Sequence, residues 1–324
     1  MIKRTLIALL PAIALIGGCA DTQNVDSNAE IKLATWNIAW LSSHEYNQRA
    51  EADYAELARY AVQLDADVIA LQEVEGQEWA HKVLGDQYDY YFSTKDWVQR
   101  VGVAVRKSAG LQIDAIEYKA LDVGRVRYGM DVTISRGGNE VRLLAVHLKS
   151  GCFDKSLEQQ AIAAMPNTDE KQQRRKIACE VLSKQVEPLK NWIDARKTEQ
   201  TPFIVLGDFN RRFSQDIANE FTPEQGLWQA LNNQNADNEP SLSSNESGDK
   251  SANKSQLWSP TLTQDSKCWG GYYKDYIDHI VFDSNAKANY VKGSFEQLVF
   301  EGEYSRELSN ALSDHCPISV DIRL

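Results

Sequence analysis

Eight polar side chains stand at the ends of apolar runs in this 324-residue chain: Asn37, Glu73, His147, Asp208, Asn210, Asp278, Asp314 and His315. Four carboxylates, two amides and two imidazoles form a set suited to a hard divalent cation and a proton-transfer group. Mg²⁺ takes a few carboxylates and keeps water and substrate oxygens for the rest of its shell, so Glu73 and Asp314 need supply only part of it. An imidazole near neutrality accepts a proton from water, and a carboxylate such as Asp278 can orient it and stabilise its charged form. Singly, each residue has a plain structural use in caps, turns or sheet rims. The chain has no glycine-rich phosphate cradle and no serine-centred elbow.

The elements that must deliver these groups read as follows. Thr201 to Asn210 is a large-apolar run, too short for a helix, that ends in Gly207, Asp208 and Asn210. It predicts a strand buried on both faces, with Asp208 and Asn210 projecting to one side of an extended segment. Ile31 to Asn37 and Asp67 to Glu73 predict two further strands, and Tyr46 to Leu64 an amphipathic helix between them. Strands are expected over Tyr88–Phe92, Val101–Val105, Leu111–Tyr118, Tyr128–Ser135 and Val141–His147, the last two joined by a turn at Arg136-Gly137-Gly138-Asn139. Glu170 to Lys197 predicts a long helix whose buried face carries Ile177, Val181, Val186, Leu189 and Ile193. Strands over Asp275–Phe282 and Ile318–Ile322 close the chain. His279 adjoins Asp278 and is expected on the opposite, structural face. His44 and His81 fall in expected polar loops. The order predicts an α/β fold of two packed sheets with helices outside.

Ahead of this, Lys3 and Arg4 precede an apolar stretch from Leu6 to Ile16 that is too short to span a bilayer. Residues 1–18 read as an export signal. Ile16-Gly17-Gly18-Cys19 resembles a bacterial lipobox, which implies lipidation of Cys19, and Ala20 implies an outer-membrane address. Residues 19–30 would be a tether, 31–324 one domain, and 232–256, poor in large side chains, a long surface loop. The net charge is −11, and losing the signal makes the chain more acidic still. Bulk attraction to nucleic acid is thereby excluded, and a phosphate-bearing substrate must meet a local basic patch or a metal. Arg100, Arg106, Lys107, Arg125, Arg127, Lys149, Arg211 and Arg212 lie near expected strand ends. Cys152, Cys179, Cys268 and Cys316 remain in an oxidising setting, where three pairings are open. Cys152–Cys179 and Cys268–Cys316 are expected because each ties a loop beside a motif to a nearby element; zinc is disfavoured for lack of close spacing.

Trp36-Asn37-Ile38, Gln72-Glu73-Val74, His147-Leu148-Lys149-Ser150, Gly207-Asp208-Phe209-Asn210, Ile277-Asp278-His279-Ile280 and Ser313-Asp314-His315-Cys316-Pro317 resemble the ordered motifs of the endonuclease/exonuclease/phosphatase superfamily, from about Ile31 to the C-terminus. That resemblance implies a four-layer, deoxyribonuclease I-like sandwich. It implies Asn37, Glu73 and Asp314 as ligands of Mg²⁺ or Mn²⁺, with Ca²⁺ a third candidate. Asp208 would align or deprotonate water, Asn210 and Arg127 would contact phosphoryl oxygens, and His147 would face the leaving group. Asp278 would pair with His315, which takes the proton or stabilises the pentavalent phosphorus. Gln99 stands beside Arg100 where relatives carry a glutamate for the first histidine, which weakens a general-acid role for His147.

The expected activity is hydrolysis of phosphodiesters, foremost in DNA or RNA, by a monomer that also meets the membrane through Cys19. Arg100, Arg127, Arg211 and Arg212 would follow a nucleic-acid backbone. A phosphatase or sphingomyelinase-like phospholipid phosphodiesterase is the alternative, with Trp258, Trp269, Tyr272 and Tyr273 as its membrane-inserting aromatics. A non-catalytic binding lipoprotein is the reading from another class.

Overall fold

The computed structural model describes residues 29–233 and 256–324. The expected signal, lipid site and all but the last two residues of the tether, and most of the 232–256 loop, lie outside the described residues; Glu30, expected in the tether, instead opens the first strand, paired with Arg323. Asn232 itself ends a helix and is no loop residue: its carboxamide donates to the Trp228 carbonyl and accepts from the Leu257 amide.

Two sheets pack face to face. The first has six strands, β1 (Glu30–Leu41), β2 (Val68–Val74), β3 (Tyr88–Phe92), β4 (Arg100–Arg106), β10 (Glu296–Gln297) and β11 (Ile318–Arg323), in the order β10-β11-β1-β2-β4-β3. The second has β5 (Gln112–Tyr118), β6 (Gly129–Arg136), β7 (Asn139–His147), β8 (Phe203–Asp208) and β9 (Asp278–Phe282), in sequence order. Alternate residues of each sheet fill the space between them, among them Leu33, Val68, Val103 and Val320 from the first and Val132, Leu143, Leu206 and Ile280 from the second. The intervening residues face outward under helices. Ala34, Trp36, Ile69 and Leu71 are covered by α1 (Glu51–Leu64) and α2 (Gln77–Leu84), and Val146, Phe203 and Val205 by α4 (Glu170–Glu199) and α6 (Leu227–Asn232). Burial on both faces is why these strands read as nearly unbroken apolar runs. The result is the expected helix, sheet, sheet, helix sandwich.

Among the described residues, only β1 with β2 and β7 with β8 run parallel, with α1 and α4 as their crossovers. The carboxyl ends of all four strands therefore emerge at one rim, and antiparallel β9 and β11 begin there. That arrangement brings the motif residues to one edge of the molecule.

Several local expectations need correction. Residues 45–64 form a short 3-10 turn and then α1, because Gln48 to Ala50 stay extended. His81 lies within α2, and His44 caps the 3-10 turn. The buried face of α4 is Ala178, Cys179, Leu182, Gln185, Leu189, Trp192 and Ile193, with Ile177 49% exposed, so the stripe is rotated from the expected one. Asp275 to Ile277 precede β9 instead of belonging to it. The remaining helices are α3 (Gln159–Ala163), α5 (Phe213–Ala218), α7 (Ser284–Lys287) and α8 (Arg306–Ala311), all too short to show a periodic stripe. Both disulfides join as expected, Cys152 to Cys179 and Cys268 to Cys316. Loops of 27 and 48 residues are closed, each worth roughly 3–4 kcal/mol against the unfolded chain in the entropic account.

Candidate active site

Sheet register places three of the expected residues in one row: His147 pairs with Asp208, and Asp208 with Asp278. Gly207 allows this row to form. Its φ is +143°, and a Cβ there would lie 2.0 Å from the Val146 carbonyl oxygen, so no other residue fits before Asp208. Across the rim, Glu73 sits at a register shift in β2 with φ +59°, a left-handed conformation that turns its carboxylate out of the strand's alternation. Asn210 is likewise left-handed, φ +50°. Asp208 and Asn210 therefore do not share a face of an extended segment. The chain turns back, and Asp208 accepts both the backbone amide (2.7 Å) and the side-chain amide (2.8 Å) of Asn210.

The other sheet supplies the facing wall. Asn37 donates its carboxamide to Asp208 Oδ2 at 3.1 Å and to Glu73 Oε1 at 3.4 Å, bridging two carboxylates from different sheets. His315 precedes β11, and its Nδ1 lies 2.7 Å from Asp278 Oδ2 while Nε2 turns to Asp208 Oδ2 (4.0 Å) and Asp314 Oδ1 (3.9 Å). His147 Nε2 is 3.4 Å from Asp208 and 3.7 Å from Glu73. All eight residues singled out in the sequence thus converge. Two that were not singled out hold them there. Buried Ser313 donates to the Asn37 carbonyl and accepts the His315 amide, and Arg49 donates to the carbonyls of Ile38, Ala39, Ala311 and Leu312, clamping the end of β1 to the segment before β11. Arg49 carries no local signal, because its partners are backbone oxygens, some at the end of β1 and two 262 and 263 residues further on.

Burial raises the Asp208 carboxyl to about 7; His315 and the Asn210 amide oppose this, while Asp278 and Glu73 add to it. Burial likewise raises Glu73, against the attraction of Arg127 and His315. His315 goes the other way: burial disfavours its charge, but Asp278, Asp314 and Asp208 outweigh burial and hold it well above the ordinary imidazole range. His147 is pushed well below that range, by burial first and then by Arg127 and His315. Two imidazoles about one carboxylate therefore hold opposite protonation states.

The cationic residues divide. Arg127 reaches the site, with Nη2 on Gln99 Oε1 at 2.7 Å. Gln99 thus serves Arg127, and His147 Nδ1 is buried without a partner. Arg212 lines the cleft between Asp154 and Asp275. Arg100 donates to the Trp97 carbonyl and does not line the cleft over these residues. Arg211 is fully buried and bonds Asp216 and the carbonyls of Cys152 and Lys155, so it cannot follow a substrate backbone. Of the aromatics, Trp269 is buried with its indole on the Ser313 carbonyl, and Trp258 packs on Phe282 and Tyr290; only Tyr272 and Tyr273 remain exposed.

A cleft of about 390 Å³ opens over the row, walled by Glu73, Asp208, Asn210, Asp278, Asp314 and His315. Its donors are mostly carboxylate oxygens, and single oxygen or nitrogen atoms of Asp208, Asp278 and His315 lie within 4.8 Å of one another. Asp278 Oδ1 is buried without a hydrogen-bond partner. An excess of carboxylate and an unpaired oxygen are what a divalent cation satisfies, so the carboxylates fit one. The clustered atoms belong to Asp208, Asp278 and His315 and not to the expected set of Asn37, Glu73 and Asp314, and His315 as imidazolium cannot be a ligand.

A model of the Endonuclease/Exonuclease/phosphatase family matches residues 34–315. The chain belongs to that family. Its members are phosphoester hydrolases and generally use divalent metal ions. Solved structures with the same fold include truncated Caenorhabditis elegans TDP2 (16% identity, TM-score 0.53, 91% of this chain and 98% of that one). D. rerio TDP2 humanized by 14 mutations (15%, 0.52, 91% and 99%) and an endonuclease/exonuclease/phosphatase from Bacteroides vulgatus (13%, 0.52, 91% and 99%) also share it. No curated protein matches the chain.

Proposed function

We propose that this family member is an exported, lipid-anchored phosphodiesterase that hydrolyses nucleic acid with Mg²⁺ or Mn²⁺. The observation that carries the reading is the row His147–Asp208–Asp278 closed by His315, facing Glu73 and Asp314 across a cleft. Glu73 and Asp314, with Asn37 beside them, would hold the cation, which when bound neutralises phosphate charge and favours attack at phosphorus.

Asp208, neutral or charged near pH 7, is the base that orients and takes a proton from water. The water oxygen bonds to phosphorus as its proton passes to Asp208, the opposite P–O ester bond breaks, and the leaving oxygen takes a proton from solvent, to which Asp208 returns its own. His315, held as imidazolium by Asp278, stabilises the negative charge of the pentavalent phosphorus, which favours this role over proton acceptance. Asn210 and Arg127 orient phosphoryl oxygens. His147, neutral and without a partner on Nδ1, donates a hydrogen bond and does not serve as the acid.

Plasmid DNA and bis(p-nitrophenyl) phosphate are the test substrates, with the full-length chain. Cleavage is expected to stop with chelator and return with Mg²⁺ or Mn²⁺. Asp208→Ala and His315→Ala are each expected to lose at least about 100-fold; cleavage at the parent rate by either, or in chelator, overturns the assignment.

A further inference from the structure

A second cleft, of about 300 Å³, lies across the metal-ligand pair from the first: Glu73 and Asp314 line both. Its wall is mostly polar, with an aromatic part at one side. Trp40, Tyr46 and Tyr304 supply aromatic surface, Tyr46 being 64% exposed with its ring centroid 5.0 Å from that of Trp40. Tyr304 is stacked under Tyr272 at 4.1 Å, and Tyr273, edge-on to both rings, reaches the first cleft, so one aromatic shelf spans the divide. Arg306 also lines the second cleft, exposed and with no ion-pair partner among the described residues. It is a free cation beside two carboxylates in a protein whose net charge is −11.

We infer that this second cleft is a nucleotide subsite, in which an unpaired base stacks on Tyr46 and Tyr304 and the adjoining phosphate meets Arg306, so that a single strand crosses the Glu73–Asp314 divide and is cut internally. This rests on the nuclease reading above. Three considerations carry it. An acidic chain cannot gather a polyanion by bulk charge, so affinity must come from stacking and a few local cations. Aromatic rings meet base faces only when those bases are unpaired, which selects single strands over duplex. A binding cleft on each side of the ligand pair has no need of a chain end.

The test uses circular single-stranded DNA, which has no ends, a 12-nucleotide oligomer, and bis(p-nitrophenyl) phosphate, which has no second nucleotide. The parent is expected to cut the circle. Tyr46→Ala, Tyr304→Ala and Arg306→Ala are each expected to raise KM for the oligomer roughly tenfold, with a smaller loss on the small diester. Arg306→Ala should also lower the slope of log affinity against log salt by about 0.7. Tyr46 and Arg306 are exposed, and an unchanged Tm confirms that those variants fold. Cutting only from ends, or equal losses on oligomer and small diester, overturns the inference and leaves the nuclease reading standing. Hydrolysis of the small diester or of sphingomyelin vesicles with no cleavage of any polynucleotide overturns both.

Discussion

One residue separates two polar regions of opposite character. Asn210 and Asp278 face the cleft, while their chain neighbours Arg211 and His279 face the core behind it. In the core region the guanidinium, carboxylate and imidazole are matched, with Gln229 Oε1 the buried exception beside Asp216. Arg211 bonds Asp216, two loop carbonyls nearby and, at 3.4 Å, the Gln225 carbonyl, and Asp216 also accepts the Trp228 amide. The His279 ring, stacked on Phe213, has Nε2 on the Arg211 carbonyl (2.8 Å) and Nδ1 on the Thr261 hydroxyl (2.6 Å). The site is unmatched by comparison: carboxylates crowd together, and His147 Nδ1, Asp278 Oδ1 and Arg127 Nε have no partner among the described residues. Saturated polar groups stabilise a fold, whereas several unsaturated ones gathered at one site suit a ligand. The same residue types therefore divide by the completeness of their bonding, more than by burial.

The largest break in this comparison is Asp208→Asn. Removing the base is expected to lower hydrolysis by about 10³-fold, roughly 4 kcal/mol of transition-state stabilisation. Folding stability should hold or rise, because a crowded buried carboxyl becomes a neutral amide. Rates alongside urea unfolding check both halves, and a Tm fall of 10 °C or more would mean that Asp208 belongs with the structural region.

Asp216→Ala is the mirror experiment. It strips a buried guanidinium of its carboxylate at 2.5 Å, which costs roughly 3–5 kcal/mol. Thermal unfolding should fall on the order of 10 °C, while the folded fraction retains its rate per molecule. Loss of rate without loss of stability would erase the distinction between the two regions.

How much of this was legible in the sequence follows the same division. The cleft residues close apolar runs, so their chemistry and order stand out one strand at a time, and the two-sheet sandwich follows from the same runs. The left-handed turns at Glu73 and Asn210 are invisible to periodicity, which is why Asn210 was expected on an extended face. Arg211 reads as a strand-end cation able to follow a substrate backbone, whereas its burial depends on Asp216 and on the carbonyls of Cys152 and Lys155. Arg49 escaped for the same reason. Bonds between a side chain and distant backbone leave no local pattern.

A smaller effect comes from pH. Burial depresses His279 from 6.5 to about 3, so the unfolded chain takes up its proton more readily than the folded one. Its contribution is therefore complete above about pH 6.5 and is lost as pH falls toward 3. Between pH 7 and 5 about 2 kcal/mol should disappear from this site. Urea unfolding at the two values measures it, and His279→Leu, which cannot titrate, should show a shallower dependence than the parent.

The finest test is Thr261→Val, which keeps shape and removes one hydroxyl. Since a carbonyl can only accept, His279 Nε2 must carry the proton, which leaves Nδ1 to accept from Thr261, whose oxygen in turn lies 2.8 Å from the Ser259 hydroxyl. Losing that donor leaves a buried nitrogen unpaired and should cost about 1–2 kcal/mol at pH 7. The same change should leave hydrolysis per folded molecule at the parent value, because the bond lies wholly on the saturated side of the segment. An altered rate at unchanged stability would show that the His279 contacts set the position of Asp278, and the boundary between the two regions would then run one residue deeper than drawn.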